Sequence, residues 1–340
     1  MKVLILTNMY PTPEYPFYGI FVKEQVESLR EEGIFVDVFF INGRDNRLNY
    51  FFAVPGLVKK LRSGHYDLVH AHHTYCIYVF WIAKLVLGLK TSLILTFHEA
   101  EALKPPELIP RDIDAVSKLV YSKRIKKWAL GRTDCLISVC KDLIEALNFK
   151  RKSTVKPPGV DLQLFRPINK HKCRGKLHLP KYKKIVFFPA DVKNPERHTQ
   201  KGFDILQRTF ALLPEDKILL ITGGSISHQD MPLYMNASDV VVQTSNFEAS
   251  PMIIKEAMAC NLPIVSTDVG DSKKIIGDTE GCFICRREPE DIAHKITLAL
   301  DYGKRTNGRK RIGELRLGLQ QIAQKIIEVY KDTVKARMMN

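Results

Sequence analysis

Two glutamates stand eight residues apart, Glu248 and Glu256, on either side of the start of an apolar run opened by Ser250-Pro251. Serine favours a helix N-cap and proline the first helical position, so this spacing predicts a helix over 251–260. The unpaired amides at such a start, those of Ser250, Met252 and Ile253 around Pro251, make a site for a pyrophosphate. Two carboxylates beside an anion site are poor partners for the anion itself. They suit hydroxyl groups, such as those of a ribose and of a second sugar. Two glutamates on a helix are more often a solvated face, so the reading needs support from the rest of the chain.

Other residues carry chemistry by type and place. His98 and Glu99 follow an apolar run over 93–97. A strand-end histidine is usually structural, but its place after a central strand favours function. His70, His72 and His73 sit close together, and alternation puts His70 and His72 on one strand face. An acceptor-side or structural role outweighs metal binding there. Lys201 precedes Gly202-Phe203-Asp204, where the pattern predicts a helix over 201–213. A lysine at a helix start opposes the dipole, which points to an anionic ligand. Asp112 and Asp114 have no His or Cys near them. Cys282 and Cys285 form a CxxC without a second pair. No metal site is therefore expected. The seven cysteines are odd in number and lie mostly in apolar runs, which argues against a disulfide framework and fits reducing cytosol.

Alternating elements must position these residues. Residues 3–7, 35–41, 68–70, 93–97 and 135–139 read as buried strands. Helices are predicted over 20–32, 54–62, 76–87, 115–130 and 140–147. Residues 150–167 carry Pro157, Pro158, Gly159 and Pro167 and read as a linker. The alternation then restarts. Strands are predicted over 185–188, 218–222, 240–244, 264–266 and 282–284, with a polar loop over 189–200. Further helices are expected over 231–236, 289–301 and 314–335. Strands alternating with helices imply a parallel sheet covered on both faces. Two such domains in tandem would bind a ligand at strand carboxyl ends, in the cleft between them. No internal sequence repeat is visible.

Composition narrows the partners. The 340-residue chain is 45% hydrophobic with a formal charge of +15, and the excess is spread over both halves. A spread basic excess favours anionic partners but is often only a solvated surface. No RNP, zinc-finger or helix-turn-helix signature supports nucleic-acid binding. The N-terminus lacks signal-peptide features, and the longest apolar stretch, 76–89, contains Lys84 and is too short to span a bilayer. A cytoplasmic protein is expected. The 118–132 segment, basic with Trp128, keeps peripheral contact with the anionic inner face of a membrane open, although inward packing of its apolar face is favoured.

The stretch 238–271 resembles the donor-binding core of glycosyltransferase family 4, whose architecture is called GT-B. Glu248 and Glu256 match its E-x7-E motif, with Glu248-Ala249-Ser250-Pro251 where the family usually shows Glu-Gly-x-Pro. The segments 231–239, 256–263 and 266–271 are similar to family members as well. Thr96-Phe97-His98-Glu99, the Gly19 loop, Pro158-Gly159-Val160-Asp161 and Lys201-Gly202-Phe203-Asp204 extend the resemblance over nearly the whole chain. Pro158 stands where the family usually has Asn. The segment between Gly224 and Met231 looks shorter than in many relatives.

The resemblance implies two Rossmann-like, doubly wound α/β domains. The expected division is 1–160 on the acceptor side, 161–315 on the donor side, and a 316–340 helix packing back toward the N-terminal domain. It implies a retaining transferase that uses a UDP-, GDP- or ADP-sugar, with no cofactor and no metal. Glu256 would hold the ribose and Glu248 the donor sugar. Lys201 would neutralise the diphosphate, helped by Arg197 or Lys193, since Glu196 occupies the usual arginine place. Gly19 would let backbone approach the phosphates. His98 would bind a sugar hydroxyl and stabilise the transition state. His72, His73 and Glu99 are acceptor-side candidates, and the acceptor could be a carbohydrate, a lipid-linked glycan or a small molecule. An inactive or binding-only homologue and a nucleotide-sugar epimerase remain as alternatives.

Overall fold

The computed structural model describes residues 1–104, 123–149, 152–192, 195–224 and 226–339. Asp112, Asp114 and Lys193 lie outside them, as does much of the predicted 115–130 helix. The chain divides into two compact units, Met1–Gly159 with Leu319–Asn340, and Val160–Gly318.

The first unit holds a six-stranded parallel sheet. Its strands are β1 (Lys2–Thr7), β2 (Phe35–Phe40), β3 (Leu68–His72), β4 (Ser92–Phe97), β5 (Cys135–Ser138) and β6 (Ser153–Val155), in the order β2-β1-β3-β4-β5-β6. Central strands of a parallel sheet are covered on both faces, so Val3 to Leu6 and Leu93 to Leu95 are continuous apolar runs with no exposed side chain. The helices α1 (Ile20–Glu31), α2 (Asn49–Gly64), α3 (Thr74–Leu87), α4 (Lys123–Leu130) and α5 (Lys141–Leu147) supply the cover. Helix α1 stops where Gly33, at φ 82°, takes the left-handed conformation that other residues adopt only with strain. The C-terminal helix Leu319–Met338 packs against α1 and buries Tyr330.

Two sequence expectations change here. Strand β6 lies in the segment read as linker, paired with β5 through Leu136 and Ser153. A three-residue, half-buried strand leaves no apolar run to detect. Helix α2 begins at Asn49, upstream of the predicted 54, and carries Pro55 inside it.

The second unit repeats the same strand order without repeating the sequence. Its strands are β7 (Lys184–Phe188), β8 (Ile218–Thr222), β9 (Val240–Gln243), β10 (Ile264–Thr267) and β11 (Cys282–Cys285), ordered β11-β10-β9-β7-β8 and all parallel. The helices are α6 (Lys170–Lys176), α7 (Pro195–Lys201), α8 (Phe203–Phe210), α9 (Met231–Ala237), α10 (Met252–Ala259), α11 (Ser272–Ile276), α12 (Pro289–Tyr302) and α13 (Gly308–Glu314). Val186, Val240, Val242 and Val265 meet Leu206, Ile292 and Ile296 in one apolar core.

The expected polar loop over 189–200 is corrected, because Pro195–Lys201 is helical. The expected helix over 201–213 runs over Phe203–Phe210, starting after Gly202, which sits at φ 72°. Lys201 closes a helix instead of opening one. In both units the strand order reverses beside the first strand, at β1/β3 and at β7/β9. Ligands of doubly wound sheets bind outside the strand carboxyl ends at that point.

Candidate donor and sugar sites at the strand carboxyl ends

In the second unit, the loop after β9 is fastened to the α7–α8 turn. Thr244 Oγ1 donates to the carbonyl of Gly202 at 2.7 Å, and the Asn246 amide donates to Gln200 O at 2.8 Å. A Cβ at Gly202 would lie 2.0 Å from the Thr244 carbonyl oxygen, so only glycine permits this approach. Gly202→Ala adds that clash to a positive φ. It is expected to destabilise the unit by at least about 2 kcal/mol, read as a lower urea midpoint at unchanged slope. An unchanged midpoint would show that the turn does not hold the loop.

This fastening brings together residues 47 positions apart. Lys201 Nζ donates to Glu248 Oε1 at 2.5 Å, and Ser245 Oγ donates to the same oxygen at 3.1 Å. The pair is mostly sheltered, with side chains 28% and 13% exposed. Lys201 thus presents a cation whose partner is one of the two motif glutamates.

Helix α10 follows directly. Its N-cap is Pro251, and no side-chain oxygen caps it. The orphan amides of the first turn are then suited to an anion. This corrects the expectation that Ser250 caps the helix. Ser250 lies one position too early, and its Oγ donates to Asp271 Oδ2 at 2.6 Å. Lys255, fully buried, donates from Nζ to Ser250 Oγ at 2.7 Å. Burial raises the Asp271 pKa, and the Lys255 ammonium opposes that rise. Glu256 is buried next to Lys255 in the same helix.

The Lys255–Ser250–Asp271 chain escaped the sequence reading. Its signal was a lysine inside the apolar run Met252–Ala259. Gly270, at φ 54°, completes the contact, since a Cβ there would meet the Ala249 carbonyl oxygen at 2.2 Å. Beside the fastened loop a cavity of about 600 Å³ opens among Asn246, Asp268, Arg286, Arg287 and Lys295. Arg197 lies in α7, one turn before Lys201.

In the first unit, the predicted histidines gather at the carboxyl ends of β3 and β4. His72 Nδ1 and His98 Nε2 are 3.0 Å apart, with the rings stacked at 14°. Both are neighbours of His70, whose Nδ1 meets Tyr330 Oη and whose Nε2 meets Thr96 Oγ1, each at 2.6 Å. With both nitrogens engaged, His70 is structural. Burial, with His98 nearby, pushes its pKa down to about 3. Burial likewise holds His72 well below the ordinary histidine value, helped by His70 and His98. Among the described residues no group of three His, Cys, Asp or Glu side chains is placed to hold a metal ion. Gly19 starts α1 at φ 71°, and a Cβ there would lie 2.3 Å from the Met9 carbonyl carbon.

Glu99 is committed within the fold. It accepts from Thr74 N at 2.9 Å and from the Thr74 hydroxyl, while its second oxygen takes Lys126 Nζ at 2.6 Å. His73 Nδ1 lies 3.4 Å away. Burial would raise the Glu99 pKa, but His73, Lys126 and Thr74 together outweigh it and hold the carboxyl at about 2. A depressed carboxylate stabilises the fold above its unfolded pKa and loses that effect as pH falls through the folded value. About 3 kcal/mol of stability is therefore expected to drain away between about pH 5 and pH 2. Glu99→Gln should flatten the acid limb of a stability-against-pH curve, and an unchanged limb would contradict the assignment.

Comparison with known proteins bears on the family and the fold. Residues 2–164 match the model described as Glycosyltransferase Family 4, and residues 211–315 match Glycosyl transferases group 1. The chain is 25% identical to the D-inositol 3-phosphate glycosyltransferase of Xylanimonas cellulosilytica over 319 residues, covering 81% of this chain and 74% of that protein. The fold is similar to sucrose-phosphate synthase from Thermosynechococcus elongatus, with a TM-score of 0.80 and 19% identity over 99% of this chain and 100% of that one. It is also similar to Anabaena HepE, solved in complex with UDP, with a TM-score of 0.72 and 19% identity over 98% of this chain and 100% of that one.

Two doubly wound parallel-sheet units with these matches define the fold class, GT-B. The chain is a glycosyltransferase of the family-4 type.

Proposed function

We propose that this enzyme moves a sugar from a nucleoside-diphosphate donor to an acceptor with retention of anomeric configuration. The carrying observation is the Lys201–Glu248 contact, set beside the uncapped start of α10. A cation and free amides suit a diphosphate, and carboxylates beside them suit sugar hydroxyls. Charge grows on the diphosphate as its bond to the sugar breaks. Lys201, the amides of Met252 and Ile253, and Arg197 as second cation would stabilise that charge. Glu256 would accept from the ribose, and Glu248 would orient the donor sugar. His98 would bind a sugar hydroxyl, with Gly19 giving the phosphates room. In a front-face displacement the leaving phosphate oxygen takes the acceptor proton, so no separate enzyme base and no metal ion are invoked.

The HepE complexes with UDP and UDP-glucose make UDP-sugars the first donors to try. The acceptor would be a carbohydrate, a lipid-linked glycan or a small molecule, with the partly exposed His73 as the acceptor-side candidate; the buried His72 and Glu99 would position His98 and His73 instead of touching the acceptor. No described helix is long and apolar enough to cross a membrane. We place the protein in the cytoplasm, in peripheral contact with an anionic membrane. The test of retention is the proton coupling at the new anomeric carbon in early product. The donor's own configuration is expected, and inversion would overturn the mechanism.

A further inference from the structure

Helix α3 carries more apolar surface than its unit buries. Its inner face packs Cys76, Ile77, Val79, Phe80 and Ala83. Its outer face leaves Ile82, Leu85 and Val86 in solvent at 43%, 75% and 64%. Helix α4 packs beside α3 and shows Trp128 at 47% exposure. Single exposed apolar residues are ordinary, whereas a cluster on adjoining helices marks a contact surface.

Cations frame the cluster. The Arg132 guanidinium sits 3.8 Å from the Trp128 ring centroid and 5.9 Å from that of Trp81, so it bridges the two helices. Lys84 Nζ lies 5.0 Å from the Trp81 ring. Exposed Arg124, Lys127 and Lys90 widen the basic field. Neither helix contains an acidic residue. At the same edge a cavity of about 600 Å³ opens between Arg62, His65, Val86 and Leu89.

We propose that this surface docks on an anionic lipid bilayer. Ile82, Leu85, Val86 and Trp128 would enter the interface, while Arg124, Lys127, Arg132 and Arg62 meet lipid phosphates. Apolar residues ringed by Lys and Arg, with tryptophan between them, suit the headgroup boundary. Charge argues against a second copy of the chain, because the patch would then face its own cations. Leu85 lies three turns beyond Thr74, about 16 Å along the helix from the strand carboxyl ends. The α3 half of the patch therefore lies away from those ends, whereas α4 reaches them through the Lys126–Glu99 contact. This inference gives a surface to the peripheral reading above and does not depend on the transfer chemistry.

The test uses the full chain with vesicles of phosphatidylcholine, with and without phosphatidylglycerol. Sedimentation is expected only with the anionic vesicles and should weaken with salt. L85E/V86E should lower the partition coefficient more than about tenfold. R124E/K127E should lower it about fivefold per residue and flatten the salt dependence. A nucleotide-induced rise in melting temperature equal to that of the parent chain confirms that both variants are folded. No anionic selectivity, unchanged partition in both variants, or a dimer lost in L85E/V86E without vesicle binding would overturn the proposal. Vesicle failure with an intact nucleotide response strikes this surface alone. Vesicle binding without a nucleotide response strikes the donor reading instead.

Discussion

Lys201→Ala is expected to lower kcat by about 10²- to 10³-fold while leaving the fold intact. Lys201 ends α7, and its Nζ sits 2.5 Å from Glu248 Oε1 at the carboxyl edge of the second sheet. A diphosphate leaving group develops charge only as the glycosidic bond breaks. A cation aimed at that point acts in the transition state more than in the bound ground state. The loss should therefore fall on kcat. The ion pair is mostly sheltered, so losing it leaves Glu248 with Ser245 as donor and should cost about 1 to 3 kcal/mol of stability, without unfolding the unit. Lys201 and Glu248 share one contact, so their effects should not add. The double variant should be much closer to the worse single variant than to the product of both. Wild-type turnover in Lys201→Ala would remove the leaving-group role.

Glu256→Ala is expected to raise the donor dissociation constant by about 10- to 100-fold, the cost of hydrogen bonds made to a charged group. Glu256 is buried in α10, just beyond the first turn whose amides lack a side-chain cap. A carboxylate held there can accept both ribose hydroxyls at once. Titration calorimetry with the nucleotide alone isolates this contact from the sugar. A ribose contact predicts equal losses for the nucleotide and for its sugar conjugate. A loss seen only with the conjugate would move Glu256 from the ribose to the sugar, and unchanged affinity would remove it from the site.

The doubly wound plan was legible because central parallel strands are buried on both faces. The runs over 3–7, 93–97, 185–188 and 240–244 announce themselves by unbroken apolar character. Strand Ser153–Val155 and helix Pro195–Lys201 were not legible. The first is short and half-buried, and the sequence PERHTQK of the second has no apolar period for a core to select. That helix changes an argument as well as a boundary. A lysine at a helix C-terminus is favourable with the dipole, so the placement of Lys201 needs no anion to explain it.

The site divides in the same way. Glu248, Glu256, Ser250 and Lys201 could be picked out by type and spacing. The Lys201–Glu248 contact could not, because the Gly202–Thr244 fastening that creates it is tertiary. Nor could the engagement of both His70 nitrogens, since Tyr330 comes from the other end of the chain. The buried Lys255–Ser250–Asp271 chain was missed because serine before proline also fits a cap.

The central claim is that the second unit binds a nucleoside diphosphate sugar. Its most direct test is a thermal-shift screen with UDP, GDP, ADP and their common sugar conjugates. Ligand that binds only the folded state raises the melting temperature, by roughly 5 °C at a hundredfold excess over Kd. One nucleotide is expected to give such a shift, and Glu256→Ala to diminish it. A folded sample that responds to none of them would contradict the account.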